Sequence, residues 1–430
     1  MEVIIAPSNG LNGTVKVPGD KSITHRAFIF SLIADGETVV RNYGSAADCI
    51  STLKIVSHCG AEVVEKNESF VRIKSKGIFN IKEPDDVLNA ENSGTTMRLL
   101  SGLFSGINGK FFVLTGDNSL RNRPMKRITL PLSLMGAKVF ARKGGNYPPI
   151  AIHGSRLNGI TYALPVASAQ VKSAIILAGL LANGETKIIE KAVSRNHTEI
   201  MLREFGGKIA VNGREIRVLP IKGTLKGREI FVPNDFSSAA YFIAAALITK
   251  KSNVLLKEIG INETRAYLLK KLVDAGGEIS VENEKTLNGE KVADIFVKSS
   301  QMKGISVDSE EVPLLIDELP LIAVIGAVSS GKTVIRGAEE LRFKETDRIK
   351  AVCKNLKNLG VKCNEYKDGL EVFGGAVDGG TVESFGDHRI AMSFSVLGLV
   401  SKSGIKIKNA ECVKISFPEF FGILKEVAYG

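Results

Sequence analysis

Pro18-Gly19-Asp20-Lys21-Ser22-Ile23-Thr24-His25-Arg26 runs directly into the apolar stretch Ala27–Ala34 and a turn at Gly36. Gly19 permits a tight turn, and Asp20 or Ser22 is fit to cap a helix that follows. Lys21, Ser22 and Arg26 then fall on the first turns of that helix, where unsatisfied backbone N–H groups and the helix dipole already favour anions. A Lys at the cap and an Arg about one turn on aim two cationic donors at one spot. The expected ligand is a phosphate or a carboxylate. Taken alone, the stretch reads equally as a capped surface helix.

The stretch is not alone. A polar cap, an apolar helix, a turn and a β-branched strand recur, beginning near Lys21, Asn92, Ser168, Asp235, Asp317 and Asp387. The turns fall at Gly36, Gly109, Gly184, Ser252, Gly331 and Gly404. A second piece alternates with the first, an amphipathic segment ending in Gly before a strand. Its copies centre on Gly60, Gly136, Gly206, Gly276, Gly360 and Gly430, spaced 76, 70, 70, 84 and 70 residues apart. Self-similarity at a fixed period fixes an architecture before any single motif does. Each unit reads as strand, helix, strand, helix and a pair of strands, an α/β repeat (βαβαββ). Six such units make two lobes of three, each built around buried helices that are apolar on nearly every side.

The last unit stops before its final strands, whereas Val3-Ile4-Ile5 and Gly13–Val17 are strands with no helix before them. The N-terminal strands are therefore expected to complete the C-terminal lobe. This gives a first lobe of residues 19–233 and a second of residues 1–18 plus 234–430, with crossings at 17–20 and 232–235. Two crossings make a hinge, and a hinge between two basic faces predicts a closing cleft.

Bulk properties narrow the class. A net charge of +11, from 57 basic and 46 acidic residues, favours an anionic partner. The basic residues are scattered and aromatics make up 6%, which argues against nucleic acid. No apolar run reaches about 18 residues and Met1–Pro7 is not a secretory leader, so neither a membrane nor export is expected. Cys49, Cys59, Cys353, Cys363 and Cys412 are odd in number and never at C-x-x-C spacing. They read as reduced thiols of a cytoplasmic protein. The five His residues form no H-E-x-x-H, and no metal site is expected. A monomer is the expectation.

Polar residues gather at the start of each apolar helix: Lys21-Ser22 with Arg26, Asn92–Arg98, Ser168-Ala169-Gln170, Asp317–Pro320 and Asp387-His388-Arg389. In the second of these, Gly94 lets a ligand approach the backbone. Caps are commoner than sites, but caps this rich, in register, point to helix starts converging on one ligand. Loops add Arg121 and Arg123, Ser194-Arg195, and Leu341–Arg348. In the last, Lys344 and Arg348 are one turn apart if helical, and Glu345 between them is placed for proton transfer beside bound anions. Gly326–Thr333 matches the nucleotide-binding pattern G-x-x-x-x-G-K-[ST]. That pattern works only between a strand and a following helix. The repeat register puts it at the end of the apolar helix 320–330, which argues against an ATP site.

Gly19-Asp20-Lys21-Ser22 with His25-Arg26, Asn92–Arg98, Ser119–Met125, Ser168–Gln170, Glu340–Arg348 and Asp387–Met392 together resemble the motifs of the 5-enolpyruvylshikimate-3-phosphate synthase family. They do so in order, at the family's spacings and over almost the whole chain. The resemblance implies a two-lobed inside-out α/β barrel. It implies transfer of the enolpyruvyl group of phosphoenolpyruvate to the 5-hydroxyl of shikimate 3-phosphate, by addition and elimination with release of phosphate. This is a step toward chorismate and the aromatic amino acids and a target of glyphosate, and it needs no metal or organic cofactor. Both substrates carry a phosphate and a carboxylate, which Lys, Arg and helix starts are suited to neutralise.

Position by position, Lys21, Ser22, Arg26, Ser168, Ala169, Gln170, Ser194, Arg195, Asp317 and Lys344 resemble the shikimate-phosphate contacts. Lys21, Asn92, Gly94, Arg123, Gln170, Lys344, Arg348 and Arg389 resemble the phosphoenolpyruvate clamp. Asp317 resembles the base for the 5-hydroxyl, Glu345 the group that exchanges the methyl proton, and Lys21 a third catalytic group. Two departures stand out. Ala169 replaces a Ser found in many members, and Lys414 lies one residue off the place of a late Lys. The nearest rival is the sister transferase acting on UDP-N-acetylglucosamine. It typically shows Lys-Asn at the first motif and a loop Cys, whereas this chain has Lys21-Ser22 and no Cys in Asp117–Met125. The other rival is a nucleotide switch built on Gly326–Thr333.

Overall fold

The structure, a computed structural model, describes every residue from Met1 to Gly430. Contacts divide it into two compact units. The first unit holds Gly19–Val232 with Leu287–Glu290, and the second holds Met1–Pro18, Pro233–Thr286 and Lys291–Gly430.

In the first unit the main helices are α1 (Lys21–Ile33), α2 (Ala47–His58), α3 (Gly94–Ser105), α4 (Lys126–Leu134), α5 (Ala169–Gly179) and α6 (His197–Glu204). In the second they are α7 (Phe236–Ile248), α8 (Tyr267–Asp274), α9 (Leu319–Val328), α10 (Arg348–Asn358), α11 (His388–Gly398) and α12 (Phe420–Tyr429). Odd- and even-numbered helices differ in kind. Every residue from Ile23 to Ile33 of α1 is buried, as is every residue from Leu319 to Ala327 of α9. By contrast, α8 buries only Leu268 and Leu272. A helix apolar all round has to be enclosed, and one with a single apolar stripe covers a surface.

Sheets wrap these helices, and their strand order repeats. In the first unit Phe111–Thr115 lies between a parallel Leu88-Asn89 and an antiparallel Tyr147–His153, with Lys138–Ala141 outside. Thr186–Ile189 has the same neighbours in its own sheet, and so does Ala34–Arg41. For Ala34–Arg41 the parallel neighbour comes from Leu225–Phe231, the end of the unit. In the second unit Asn12–Val15 fills that slot beside Asn253–Gly260. Glu2–Ile5 pairs antiparallel with Ile405–Lys408 and occupies the position that the chain's end leaves vacant in the sixth repeat. The fold class expected from the repeats, six α/β units in two sets of three with the helices inside, is the one observed.

Three local readings need correction. Gly19 is not a left-handed turn residue; a Cβ there would stand 1.8 Å from the carbonyl oxygen of Asn42, so close backbone approach is what requires glycine. In the fourth repeat the positive φ that Gly36, Gly109, Gly184, Gly331 and Gly404 adopt falls on Lys251 (φ 57°), one residue before Ser252. Lys344 is extended and α10 starts only at Arg348, so Lys344 and Arg348 share no helical face. Gly326–Thr333 spans the end of α9 and the start of the strand Lys332–Ile335, the reverse of the order that cradles a nucleotide phosphate.

Odd helices touch through small residues. A Cβ on Gly102 of α3 would lie 2.1 Å from the backbone oxygen of Ala174 on α5. α3 is also held to its sheet, where Phe104 stacks on Phe112 of the strand Phe111–Thr115 with centroids 4.1 Å apart. Gly102→Ala is expected to destabilise the protein by about 2–4 kcal/mol through overpacking, read as a lowered midpoint in urea unfolding.

Candidate active site

In the first unit, α1, α3 and α5 each start with a side chain closing the first turn. Asp20 Oδ1 accepts from Ile23 N–H at 2.8 Å, Ser93 Oγ from Thr96 N–H at 3.1 Å and Ser168 Oγ from Val171 N–H at 3.4 Å. Four of the groups expected on phosphoenolpyruvate, Asn92, Gly94, Arg123 and Gln170, lie at the second and third of these starts. Arg123 donates to Asn92 Oδ1 at 2.9 Å, and Asn92 donates to Asp117 at 2.7 Å. Arg98, outside the expected set, donates to Gln170 Oε1 at 2.9 Å, and Gln170 donates to Thr95 Oγ1 at 2.9 Å. Gly94 sits against both guanidinium groups: a Cβ would lie 2.5 Å from Arg98 Nη1 and 3.5 Å from Arg123 Nη1. Gly94 therefore keeps open the space between two cations.

Lys21 and Arg26, expected to aim at one anion, have different partners within the protein. Lys21 Nζ pairs with Asp48 Oδ2 on α2 at 2.8 Å. Arg26 is 3% exposed and tied to Thr198 Oγ1 (2.6 Å) on α6, Ser173 Oγ (2.9 Å) on α5 and the Ser22 carbonyl (2.8 Å). Its guanidinium holds three helices together, and burial pushes its pKa down to about 10, leaving it charged at neutral pH. Ser22, Ala169 and Arg195 are half-buried, Arg195 in the turn ahead of α6. Ser194 donates its hydroxyl to Glu190, whose carboxylate also accepts the Ser194 N–H at 3.1 Å. Lys172 fixes the same loop from within, bonding Glu190 (3.2 Å), Glu199 (2.7 Å) and the Ser194 carbonyl (3.0 Å). Burial raises the pKa of Glu190, while Lys172 and the Ser194 hydroxyl oppose the rise.

A polar chain crosses the core between α1 and α3. His25 Nδ1 meets Thr52 Oγ1 (2.7 Å), Thr52 meets Thr96 Oγ1 (2.6 Å), and Thr96 donates to the cap Ser93 (2.6 Å). His25 Nε2 is buried with no hydrogen-bond partner. Burial, then Lys21 and Arg26, hold its pKa well below the ordinary 6.5.

In the second unit the expected residues Asp317, Glu345, Arg348 and Arg389 form one cluster. Asp317 stands at the start of α9, with Arg389 Nη2 at 3.4 Å, Arg348 Nη1 at 3.8 Å and Arg265 Nη1 at 4.0 Å. Asp387 caps α11 through the Arg389 N–H (2.8 Å) and accepts Arg348 Nε at 2.7 Å. Glu345 Oε2 accepts Arg348 Nη2 at 2.7 Å. Burial works against the charge on Arg348 and Arg389, yet Asp387 and Glu345 for the one, and Asp317 for the other, hold both above the usual arginine range. Lys344 is half-buried. Desolvation lowers its pKa, and Glu340 and Asp317 oppose the fall. The cluster thus combines permanent cations for anions with carboxylates and a softened lysine for moving protons. Arg265 was not picked out in the sequence, although the repeat marks it: it lies eleven residues before Gly276, as Arg195 does before Gly206. Lys414 is exposed, in the turn Ala410–Ile415. No group of three or more His, Cys, Asp or Glu side chains is arranged to hold a metal ion.

The profile for EPSP synthase (3-phosphoshikimate 1-carboxyvinyltransferase) matches residues 5–424. The chain belongs to the EPSP synthase family. A 3-phosphoshikimate 1-carboxyvinyltransferase of Petrotoga mobilis is 49% identical over 430 residues, covering 99% of each chain. One of Thermoanaerobacter sp. (strain X514) is 46% identical over 423 residues, covering 98% of this chain and 99% of its own. EPSP synthase from Acinetobacter baumannii superposes with a TM-score of 0.88 at 42% identity, over 99% of this chain and 98% of that one. No helix is long and apolar enough to cross a membrane.

The histidine gives a stability prediction. A His held neutral in the folded state contributes stability above its unfolded pKa of 6.5, and that stability is lost as pH falls below this value. The unfolding free energy of the wild type should therefore drop between pH 7.5 and 5.5 more steeply than that of His25→Asn. Parallel curves would show that His25 is not the titrating group.

Proposed function

We infer that this chain transfers the enolpyruvyl group of phosphoenolpyruvate to the 5-hydroxyl of shikimate 3-phosphate and releases phosphate. Family membership over nearly the whole chain supports the reaction. The observation that carries the chemistry is the ring of Arg265, Arg348 and Arg389 around Asp317, with Lys344 and Glu345 alongside. The reaction adds a proton to the methylene carbon and the hydroxyl oxygen to the adjacent carbon. It then removes a methyl proton as the phosphate–oxygen bond to that carbon breaks. Proton carriers and anion clamps suffice for both halves, and we propose that no metal or organic cofactor takes part.

In this reading Asp317 takes the hydroxyl proton, Glu345 exchanges the methyl proton and Lys21 is the third proton-handling group. Arg123, Arg348 and Arg389, with Asn92, Gly94, Gln170 and Lys344, hold phosphoenolpyruvate. Lys21, Ser22, Arg26, Ser168, Gln170, Ser194 and Arg195 hold shikimate 3-phosphate, Ala169 contributing only its backbone N–H. The pairs Glu345–Arg348 and Lys21–Asp48 support a proton role. An incoming anion competes for the cation in each, and a carboxylate that loses its cation gains proton affinity. The residues 17–20 and 232–235 serve as the hinge between the two lobes. The enzyme works as a cytoplasmic monomer.

Phosphate release from phosphoenolpyruvate should be seen with shikimate 3-phosphate, and neither with UDP-N-acetylglucosamine nor without acceptor; no phosphate should be released from ATP. Glu345→Gln should lower kcat by about 10²–10⁴-fold and abolish exchange of solvent hydrogen into the methylene group; retained exchange removes Glu345 from that role. Gly94→Ala places a methyl group between Arg98 and Arg123. It should raise KM for phosphoenolpyruvate and the concentration of glyphosate needed for half inhibition, both measured by phosphate release.

A further inference from the structure

We propose that Arg265 is a positioning residue for Asp317, tying the start of α9 to the start of α7 and keeping one cation beside the acid. The proposal rests on the reading of Asp317 as the base for the hydroxyl proton. Of the odd-numbered helices, α9 alone has no side chain closing its first turn: Glu318 occupies the cap position with helical backbone angles and makes no cap bond. The other five are closed by Asp20, Ser93, Ser168, Asp235 and Asp387. At α9 an arginine does the fixing. Arg265, 3% exposed, donates to Glu318 Oε1 at 3.1 Å and to Ser237 Oγ at 2.6 Å, and Ser237 donates in turn to Glu318. Asp235, the cap of α7, lies 3.5 Å from Arg265 Nη2. One guanidinium fork thus grips two helix starts, which a lysine ammonium could not do with the same geometry.

The charges around Asp317 make this fork more than a brace. The cations are Arg265, Arg348 from α10, Arg389 from α11 and Lys344 from the turn before α10. The anions are Glu318 beside it, Asp235 on α7, Asp387 at α11 and Glu345, the last two paired with Arg348. Arg348 and Arg389 are assigned to substrate anions, so their field on Asp317 weakens when those anions arrive. Arg265 is bonded to Glu318 and Ser237 within the protein and keeps its distance of 4.0 Å from Asp317 by those bonds. Arg265 is not assigned to a substrate anion, so its contribution, offset in part by Glu318 and Asp235, stays constant and favours the ionised carboxylate, the form a base needs.

The test is the pH dependence of kcat in the full chain, with thermal unfolding as the folding control. An opposite charge within about 4–6 Å lowers a carboxylate pKa by about one unit or more. Arg265→Gln should therefore move the acidic limb of kcat upward by about one pH unit, with KM for phosphoenolpyruvate changed less than threefold. Arg265→Lys, which keeps the charge and loses the fork, should return the limb to its wild-type place while kcat at its plateau stays several-fold low. Equal losses in both variants at every pH, with the limb unmoved, would mean a purely structural role and overturn the proposal. Where Arg265→Gln fails to fold, Arg265→Lys decides alone: an unchanged kcat overturns the proposal. Asp317→Asn is run in parallel. If it retains full activity, the assignment of the base has failed and the proposal falls with it; if it is inactive and the limb of Arg265→Gln does not move, the proposal fails by itself.

Discussion

A helix enclosed on every side still has a first turn whose backbone N–H groups need acceptors. That one requirement organises this molecule. Each odd-numbered helix is mostly apolar because it is buried; its charged side chains lie in its first two turns, and hydroxyls further along, such as Ser31 and Ser101, bond back to the carbonyl one turn before. Asp20, Ser93, Ser168, Asp235 and Asp387 satisfy the helix starts directly. Once carboxylates and hydroxyls stand at a buried helix start, cations follow to balance them, as Arg265 follows Asp235 and Arg348 follows Asp387. The chemistry thus grows from the places where the fold is obliged to be polar, and six repeats of the fold supply several such places.

The two units use this differently. The first is chiefly a cation-bearing surface in which Gly94 leaves room between Arg98 and Arg123, and its carboxylates serve to hold loops, as Glu190 holds Ser194. The second brings carboxylates and cations together at comparable number, so that small changes in occupancy alter proton affinity. Phosphate and carboxylate groups need the first kind of surface, and proton transfer needs the second. A reaction whose two substrates each carry a phosphate and a carboxylate, and which moves protons at both oxygen and carbon, calls on both.

Much of this was legible in the sequence, because a period near 70 residues exposes helix starts, turns and strand pairs together, and a cap residue keeps its meaning in any context. What depended on side-chain partners was not. Arg26 reads as a ligand-facing cation, and only the structure shows that it also donates to Thr198 and Ser173, both far along the chain. Lys344 and Arg348 read as one helical face until Lys344 is found extended, with the helix starting only at Arg348. Arg265 is the opposite case: nothing nearby in the sequence advertises it, yet its place ahead of Gly276 copies that of Arg195 ahead of Gly206. The register of the repeat held that information, and local motifs did not.

The strand Glu2–Ile5, hydrogen-bonded to Ile405–Lys408, has a consequence for synthesis on the ribosome. The first residues to emerge have their sheet partners among the last. Gly19–Val232, by contrast, is nearly all of one unit in a single run. That run meets its own helices and sheets as it leaves the exit tunnel, before the partner strands of Glu2–Ile5 and Asn12–Val15 have been made. The sixth sheet therefore closes only after residues 405–408 have left the exit tunnel. Until it closes, the edge of Ile405–Lys408 is an open strand edge, and the nascent N-terminus is the segment shaped to cover it.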